Sequence, residues 1–493
     1  MKIKLIAAAA LAMTSSLSFA ATVLNCDTSS AKNMANTCLP EASLFVAGSS
    51  ALGGNINAIL PDLFDTTKRL IKIVDTSASG IANGNAAATT AWYGTSKAGA
   101  TGGVAKRVYV VYNNNNGSAA GISLVMGKLA KTGNPPEANV VNVGPTKTIP
   151  NTCVDATTAT ATTTVNGIAI THDVVNCSQT VDRLAELGFT DVRVQELYAL
   201  YAMAAKSKVT DYVQVPLGML GFGVAVNWNM YQALQTAQSG KNLPASCAAG
   251  DLTAACVPNI RRIDYATLVT NVMPDANKSG KLFGLDDSLI TLARRDDLSG
   301  TQASSNIFFA NNACGNVPLK STNLGGKLDV VGTVDTAKFK SVMHNTSSNV
   351  RSALGTTTGY ALGVANLEWR TGSSWPNGPV KANTYNFVKI DNYSPLFNAD
   401  GTIAYKARTA FANGDYPFAV TAYAVYPKLL DTKPSDKTTL AKFVFNAMKD
   451  STKGDMNGLA YIDGVADAAD STTPKQTNVK QPGGNNCSPL IRM

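Results

Sequence analysis

"ARRDDLSGTQASSNIFF", Ala293 to Phe309, sets two arginines, two aspartates and a Ser-Gly-Thr directly before a helix-compatible run that ends in two phenylalanines. Two physical readings fit it. In one, Ser299 or Thr301 caps the helix and the charges lie in solvent. In the other, Gly300 lets the backbone approach a bound group with no Cβ in the way. The N–H groups of the helix start and the positive end of its dipole then attract an anion, and Arg295 adds a planar fork for two anion oxygens. The stretch alone leaves both readings open.

Further upstream, "SLFVAGSSALGGNINAILPDLF", Ser43 to Phe64, reads as a buried strand, a Gly-Ser turn and an amphipathic helix with Ile56, Ile59, Leu60 and Leu63 on one face. "RVYVVYNNNNGSAAGISLVMGKLA" repeats that order: a strand from Arg107 to Tyr112, a polar turn, then Gly117 to Gly121 opening a helix. Units of this kind leave helix-start N–H groups facing outward, where a ligand can use them. Residues 75 to 105, rich in Ala, Gly, Ser and Thr, read as loop. Thr146 to Gln179 reads as a Thr-rich hairpin insertion stapled by Cys153 and Cys177 and remote from any ligand. Asp191 ends the short stretch Gly188-Phe189-Thr190.

The apolar run "YVQVPLGMLGFGVAVNW", Tyr212 to Trp228, has the composition of a buried connection between two lobes, and "DYPFAVTAYAVYPK", Asp415 to Lys428, that of its return. A helix from Thr438 to Met448 precedes a polar tail. Two crossings imply two lobes, the first discontinuous in sequence, with a cleft between them. The expected class is α/β, each lobe a mixed sheet flanked by helices.

The chain begins MKIKLIAAAALAMTSSLSFA, with Lys2 and Lys4, an apolar core from Leu5 to Met13 and small residues at Ser18-Phe19-Ala20. This is the pattern of a secretory signal peptide over residues 1–20. Its removal would lower the formal charge of +9 to +7. Eight cysteines fit an oxidising compartment, with local pairs Cys26–Cys38, Cys153–Cys177 and Cys247–Cys256, and Cys314 with Cys487 by elimination. No C-x-x-C spacing occurs, and the two histidines, His172 and His344, lie near no cysteine cluster, so no metal site and no cofactor is expected. Basic residues are scattered without a nucleic-acid-binding module. No G-x-S-x-G, H-E-x-x-H or Walker loop is present, and adjacent Asp296 and Asp297 point apart on most backbones, so the reading is not an enzyme.

Arg295-Asp296-Asp297-Leu298-Ser299-Gly300-Thr301 resembles the R-x-D-x-S-G-T signature of periplasmic phosphate-binding proteins of ABC transporters, the PstS-type branch of type II periplasmic binding proteins. Gly48-Ser49-Ser50-Ala51 resembles that family's first turn, Gly117-Ser118-Ala119-Ala120-Gly121 its Gly-Ser-x-x-Gly helix start, and Thr190-Asp191 its short aspartate motif, in the same order along the chain. The similarity covers roughly residues 43 to 450 as short motifs. Leu298 stands where the family commonly has Gly, and Ala51 where it has an aromatic.

The resemblance implies a ligand set of Ser50, Ala51, Ser118 and Asp191 from lobe 1 and Arg295, Ser299, Gly300 and Thr301 from lobe 2, holding phosphate or a similar oxyanion. It also implies delivery to the membrane subunits of an ABC transporter, a periplasmic or secreted location and a monomer. Lobe 1 would span 21–214, with the insertion at about 146–180, lobe 2 215–412, and the return and tail 413–493. Asp296 or Asp297 would orient Arg295, with Arg294 an exposed or structural neighbour. Two other classes fit the same residues: a secreted phosphate-ester hydrolase on this scaffold, and a surface interaction protein with a vestigial anion pocket.

Overall fold

The computed structural model describes residues 26, 29–77, 89–114, 117–126, 138–141, 143, 152–165, 168–196, 211–270, 279–296, 299–311, 333–335, 340–344, 346–370, 383–404, 407–432, 435–450, 459–461, 479–481, 487 and 490–492. Residues 1–20, Asp297, Leu298 and Cys314 lie outside them. The strands that matter below are β1 (Ala42–Gly48), β2 (Leu70–Asp75), β3 (Thr89–Thr95), β4 (Arg107–Asn113), β5 (Cys153–Val165), β6 (Ile168–Cys177), β7 (Leu187–Thr190), β8 (Tyr212–Val226), β9 (Ile290–Arg295), β10 (Lys340–His344), β11 (Tyr360–Asn366) and β12 (Ala419–Pro427). The helices that matter below are α1 (Ala31–Thr37), α2 (Gly53–Ile59), α3 (Gly117–Met126), α4 (Trp228–Gln238), α5 (Arg262–Thr270), α6 (Gly300–Ala310), α7 (Ser347–Thr356) and α8 (Asp436–Lys449).

The architecture is α/β: one large mixed sheet flanked by helices. Its first region runs β8-β12-β7-β1-β4-β3-β2-β6-β5, and its second β8-β11-β9-β10. The long strand β8 belongs to both. Tyr212 to Gly221 pair antiparallel with β12, and Phe222 to Val226 pair antiparallel with β11. The two apolar runs expected to connect lobes are thus laid against each other, Tyr212 opposite Pro427 and Gly221 opposite Ala419. Pairing satisfies the backbone of both runs where they are buried, which a lone apolar crossing could not do.

At the centre of the first region β1 pairs in parallel with β4 and β7. Such a strand must be apolar on both faces because helices cover both. Leu44 and Val46 point into one core with Ile56 and Ile59 of α2 and Leu440 and Val444 of α8. Phe45 and Ala47 point into the other with Met34 of α1 and Ala119 and Ile122 of α3. The apolar face expected after β1 is buried in full, but Pro61, which has no N–H, turns its last residues, Leu60–Leu63, into a 3-10 helix. Helix α8 begins two residues before the expected Thr438, where the Ser435 hydroxyl accepts from the Thr438 N–H (3.2 Å).

The loop expected at 75–105 is corrected by β3, which lies between β2 and β4 in antiparallel register. Its neighbours in sequence are small residues, so its signal is diluted. Yet Trp92 and Tyr93 enter opposite cores, and aromatic residues alternating in this way suit a strand. Trp92 meets the His172 ring edge-on at 4.8 Å, and the Tyr93 hydroxyl donates to the Cys38 carbonyl (3.0 Å).

Cys26–Cys38, Cys153–Cys177 and Cys247–Cys256 are disulfide-bonded, as is Cys487. Cys153 and Cys177 face each other across the β5–β6 hairpin. The hairpin extends the main sheet, because β6 pairs in parallel with β2. Asn36 of α1 ties in as well, its Nδ2 donating to the Cys153 carbonyl (2.9 Å) and its Oδ1 accepting from the Cys153 N–H (2.7 Å). Replacing both cysteines with Ser is expected to lower stability by about 2–4 kcal/mol in denaturant unfolding. An unchanged midpoint would show that the sheet alone holds the hairpin.

Candidate functional site

Each parallel strand near the centre of the two regions ends in a polar turn that opens a helix, so the helix starts gather at one edge of the sheet. In open α/β sheets this carboxyl edge is where ligands bind. After β1 comes Ser49-Ser50-Ala51, after β4 the start of α3, after β7 Asp191, after β9 the start of α6, and after β10 the start of α7.

The first turn is tight. Gly48 has φ +144°, and a Cβ there would overlap the Phe189 carbonyl, so only glycine lets β1 leave the sheet beside β7. The Ser49 N–H donates to that carbonyl (2.9 Å). The Ser49 hydroxyl accepts the Ala51 N–H (3.1 Å), and Asn366 of β11 donates to the Ala51 carbonyl (2.5 Å). Ala51 therefore stands at the edge with its N–H already engaged, while Ser50 directs its hydroxyl toward the second region.

Arg295, the last residue of β9, is 2% exposed. Its Nη1 donates to Ser50 Oγ (3.0 Å) across the two regions and to Ser347 Oγ (2.5 Å) at the start of α7. Its Nη2 lies 3.3 Å from Asp296 Oδ2, so Asp296 is an aspartate that orients it. Burial pulls the guanidinium down from its ordinary value, opposed by Asp296 and Asp191. Arg294 is buried and donates from Nε to the Arg295 carbonyl (2.9 Å); it supports the turn, and the exposed alternative does not hold.

Asp191 is 1% exposed at the end of β7. Ser118 Oγ donates to its Oδ1. Its Oδ2 is buried and has no hydrogen-bond partner among the described residues. Burial raises the carboxyl above its usual range. The Ser118 hydroxyl, a backbone amide, the Arg295 charge and the nearby Ser49 hydroxyl act in the opposite direction without cancelling it.

The helix start of the opening stretch meets this carboxyl. Ser299 occupies the N-cap position by its backbone, φ −77° and ψ 130°, and its carbonyl accepts from Ala303 N–H (3.0 Å). Its buried hydroxyl makes no capping hydrogen bond. Gly300 packs directly on Asp191 and Ser118: a Cβ on it would overlap Asp191 Oδ1 and Ser118 Oγ. Thr301, also buried, follows in the first turn. A carboxyl seated at a helix N-terminus is favoured by the dipole there. Ser304 Oγ adds a contact to the Asp191 carbonyl at 3.4 Å.

Ser50, Ser118, Asp191, Arg295 and Gly300 thus come together from four strand ends. Ser299 and Thr301 flank Gly300, and Ala51 sits beside Ser50. Ser347 lay outside the motifs read from the sequence, and Ser49, inside the first-turn motif, was not among the expected ligand residues. The signal for Ser347 was present as one more strand, polar turn and helix, "KSVMHNTSSNVRSAL", but nothing local ties that turn to Arg295.

No protein-family model matches the chain, and no curated protein matches it. Solved structures do. One is a phosphate ABC transporter substrate-binding protein with bound phosphate from Clostridium perfringens, at 13% identity over 85% of this chain and 100% of that one, with a TM-score of 0.40. An ABC-type phosphate transport receptor from Vibrio cholerae matches at 11% identity, covering 82% of this chain and 93% of that one, with a TM-score of 0.34. PstS from Borrelia burgdorferi matches at 11% identity, 82% and 92% coverage and a TM-score of 0.31.

Proposed function

We propose that this chain is an exported solute-binding protein that takes phosphate or a closely related oxyanion between two lobes and hands it to the membrane subunits of an ABC transporter. The first lobe is residues 21–214 with the return and tail 413–493, and the second is 215–412. The protein acts as a monomer and performs no covalent chemistry. The observation that carries this reading is a pair of buried groups at one sheet edge: the Arg295 guanidinium, and the Asp191 carboxyl whose Oδ2 has no hydrogen-bond partner among the described residues.

Hydrogen phosphate answers both needs. Its bare oxygens take the guanidinium fork, the Ser50 hydroxyl, the N–H groups of the α6 start and, once that hydroxyl's proton turns from Asp191 Oδ1, the Ser118 hydroxyl, while the phosphate proton gives Asp191 a donor. Sulfate has no proton at neutral pH and would leave two anions facing each other in a buried site. Because Gly300 packs on Asp191 and Ser118, ligand entry requires the lobes to part there and close again, a hinge motion with β8 and β12 as the connection.

Calorimetric titration with phosphate and sulfate, after unfolding and refolding to strip ligand, tests the reading. The wild type is expected to bind phosphate in preference to sulfate. Asp191→Asn is expected to narrow that preference, because an amide can donate to a bare oxygen. A wild type with neither heat nor a thermal shift in millimolar phosphate would sink the oxyanion reading. Unchanged discrimination in Asp191→Asn would remove Asp191 from the site.

A further inference from the structure

The start of α7 meets the same guanidinium from a third side. Strands β9 and β10 are parallel neighbours, with Arg295 opposite His344, so the helix after β10 begins beside the end of β9. Thr346 caps α7 through its own hydroxyl, which accepts the Asn349 N–H (3.1 Å), leaving the hydroxyl of Ser347 unneeded for capping. That hydroxyl accepts from Arg295 Nη1 at 2.5 Å and lies 3.3 Å from Ser50 Oγ. Three polar atoms from two regions of the sheet therefore form one triangle.

Counting protons gives this triangle a direction. A guanidinium only donates, so Ser50 Oγ and Ser347 Oγ both act as acceptors toward Nη1. Each hydroxyl keeps one proton, which must point away from the cation. Both protons are therefore directed at a third group, with the 3.3 Å contact between the two oxygens open to only one of them when no acceptor is present. An acceptor drawn to Arg295 is the group that meets this requirement.

We infer that Ser347 is a further ligand-binding residue, a hydroxyl donor to the oxyanion held at Arg295, an assignment that rests on the oxyanion reading above. It works with Ser50 as a pair, one hydroxyl from each lobe. The ligand class is a tetrahedral oxyanion small enough to be reached by both. Ser347 is not a charged group, so it reads an oxygen and adds no net charge to the site.

The test measures inorganic phosphate affinity of the full chain for wild type, Ser347→Ala, Ser347→Thr and Ser348→Ala. Ser347→Ala is expected to raise Kd about 10- to 100-fold, the size of a hydrogen bond to a charged group. Its melting temperature without phosphate should stay near wild type while its phosphate-induced rise shrinks. Ser347→Thr keeps the hydroxyl and should bind nearly as wild type, as should Ser348→Ala, whose side chain is exposed. The double variant with Ser50→Ala should lose less than the sum of the two single losses, since both hydroxyls share Nη1. Wild-type affinity in Ser347→Ala, or equal losses in Ser347→Ala and Ser347→Thr, would overturn the assignment even though the wild type binds. A wild type that does not respond to phosphate would overturn the oxyanion reading and this assignment with it.

Discussion

Arg295→Ala is expected to weaken phosphate binding by about 2–5 kcal/mol, because it removes a buried charged partner from a desolvated anion. Its Nη1 bonds to Ser50 and Ser347 are lost with it, and Asp296 is left without the cation 3.3 Å away. Arg295→Lys should recover part of the loss only, since an ammonium cannot reach two hydroxyls and a carboxylate with one planar group. The clearest readout is the thermal one. Phosphate should raise the melting temperature of the wild type and leave that of Arg295→Ala where it is, because a ligand bound to the native state alone stabilises it by mass action. A phosphate-induced rise of equal size in both would place the anion elsewhere.

Gly300→Ala should be nearly as damaging, through shape and with no change of charge. The added Cβ would overlap Asp191 Oδ1 and Ser118 Oγ, and both of those atoms are buried among groups with little room to move. Overpacking of this kind costs about 1–3 kcal/mol in a rigid setting. Here part of it can be relieved by the opening proposed above, so the expected result is weakened phosphate binding with a more expanded particle in solution scattering. Alanine itself is the better helix former, so α6 should remain folded. Gly355→Ala provides the control. It sits in α7 with nothing within 4 Å of its added Cβ and should bind as wild type. If Gly300→Ala binds phosphate like wild type, the contact of α6 with Asp191 is not part of the bound state.

Much of the candidate site could be read from the chain because its parts are local. A strand that ends in Gly-Ser-Ser-Ala, Gly-Ser-Ala-Ala-Gly or Ser-Gly-Thr announces a helix start through residue types that act within one turn. The three disulfides whose cysteines both lie among the described residues were legible for the same reason, each closing a short separation of 9 to 24 residues. The two crossing strands were visible as apolar runs because burial on both faces removes the polar alternation that marks a half-exposed strand.

What the chain alone could not decide is whatever depends on register between distant segments. The strand at Thr89–Thr95 was hidden among small residues, since the cores that accept Trp92 and Tyr93 are built by other elements. Whether Ser299 caps α6 was undecided locally, and its hydroxyl makes no cap bond. Ser347 reaches Arg295 only because β10 lies beside β9 with His344 opposite Arg295. The seat of Gly300 on Asp191, 109 residues earlier in the chain, is likewise a product of how the two regions share β8 and β12. Sequence thus determined the kinds of groups offered at each helix start, because capping and helix-dipole effects are short-range. Tertiary structure decided which of those groups face one another, because parallel pairing and burial act between residues that are remote in the chain and adjacent only after folding.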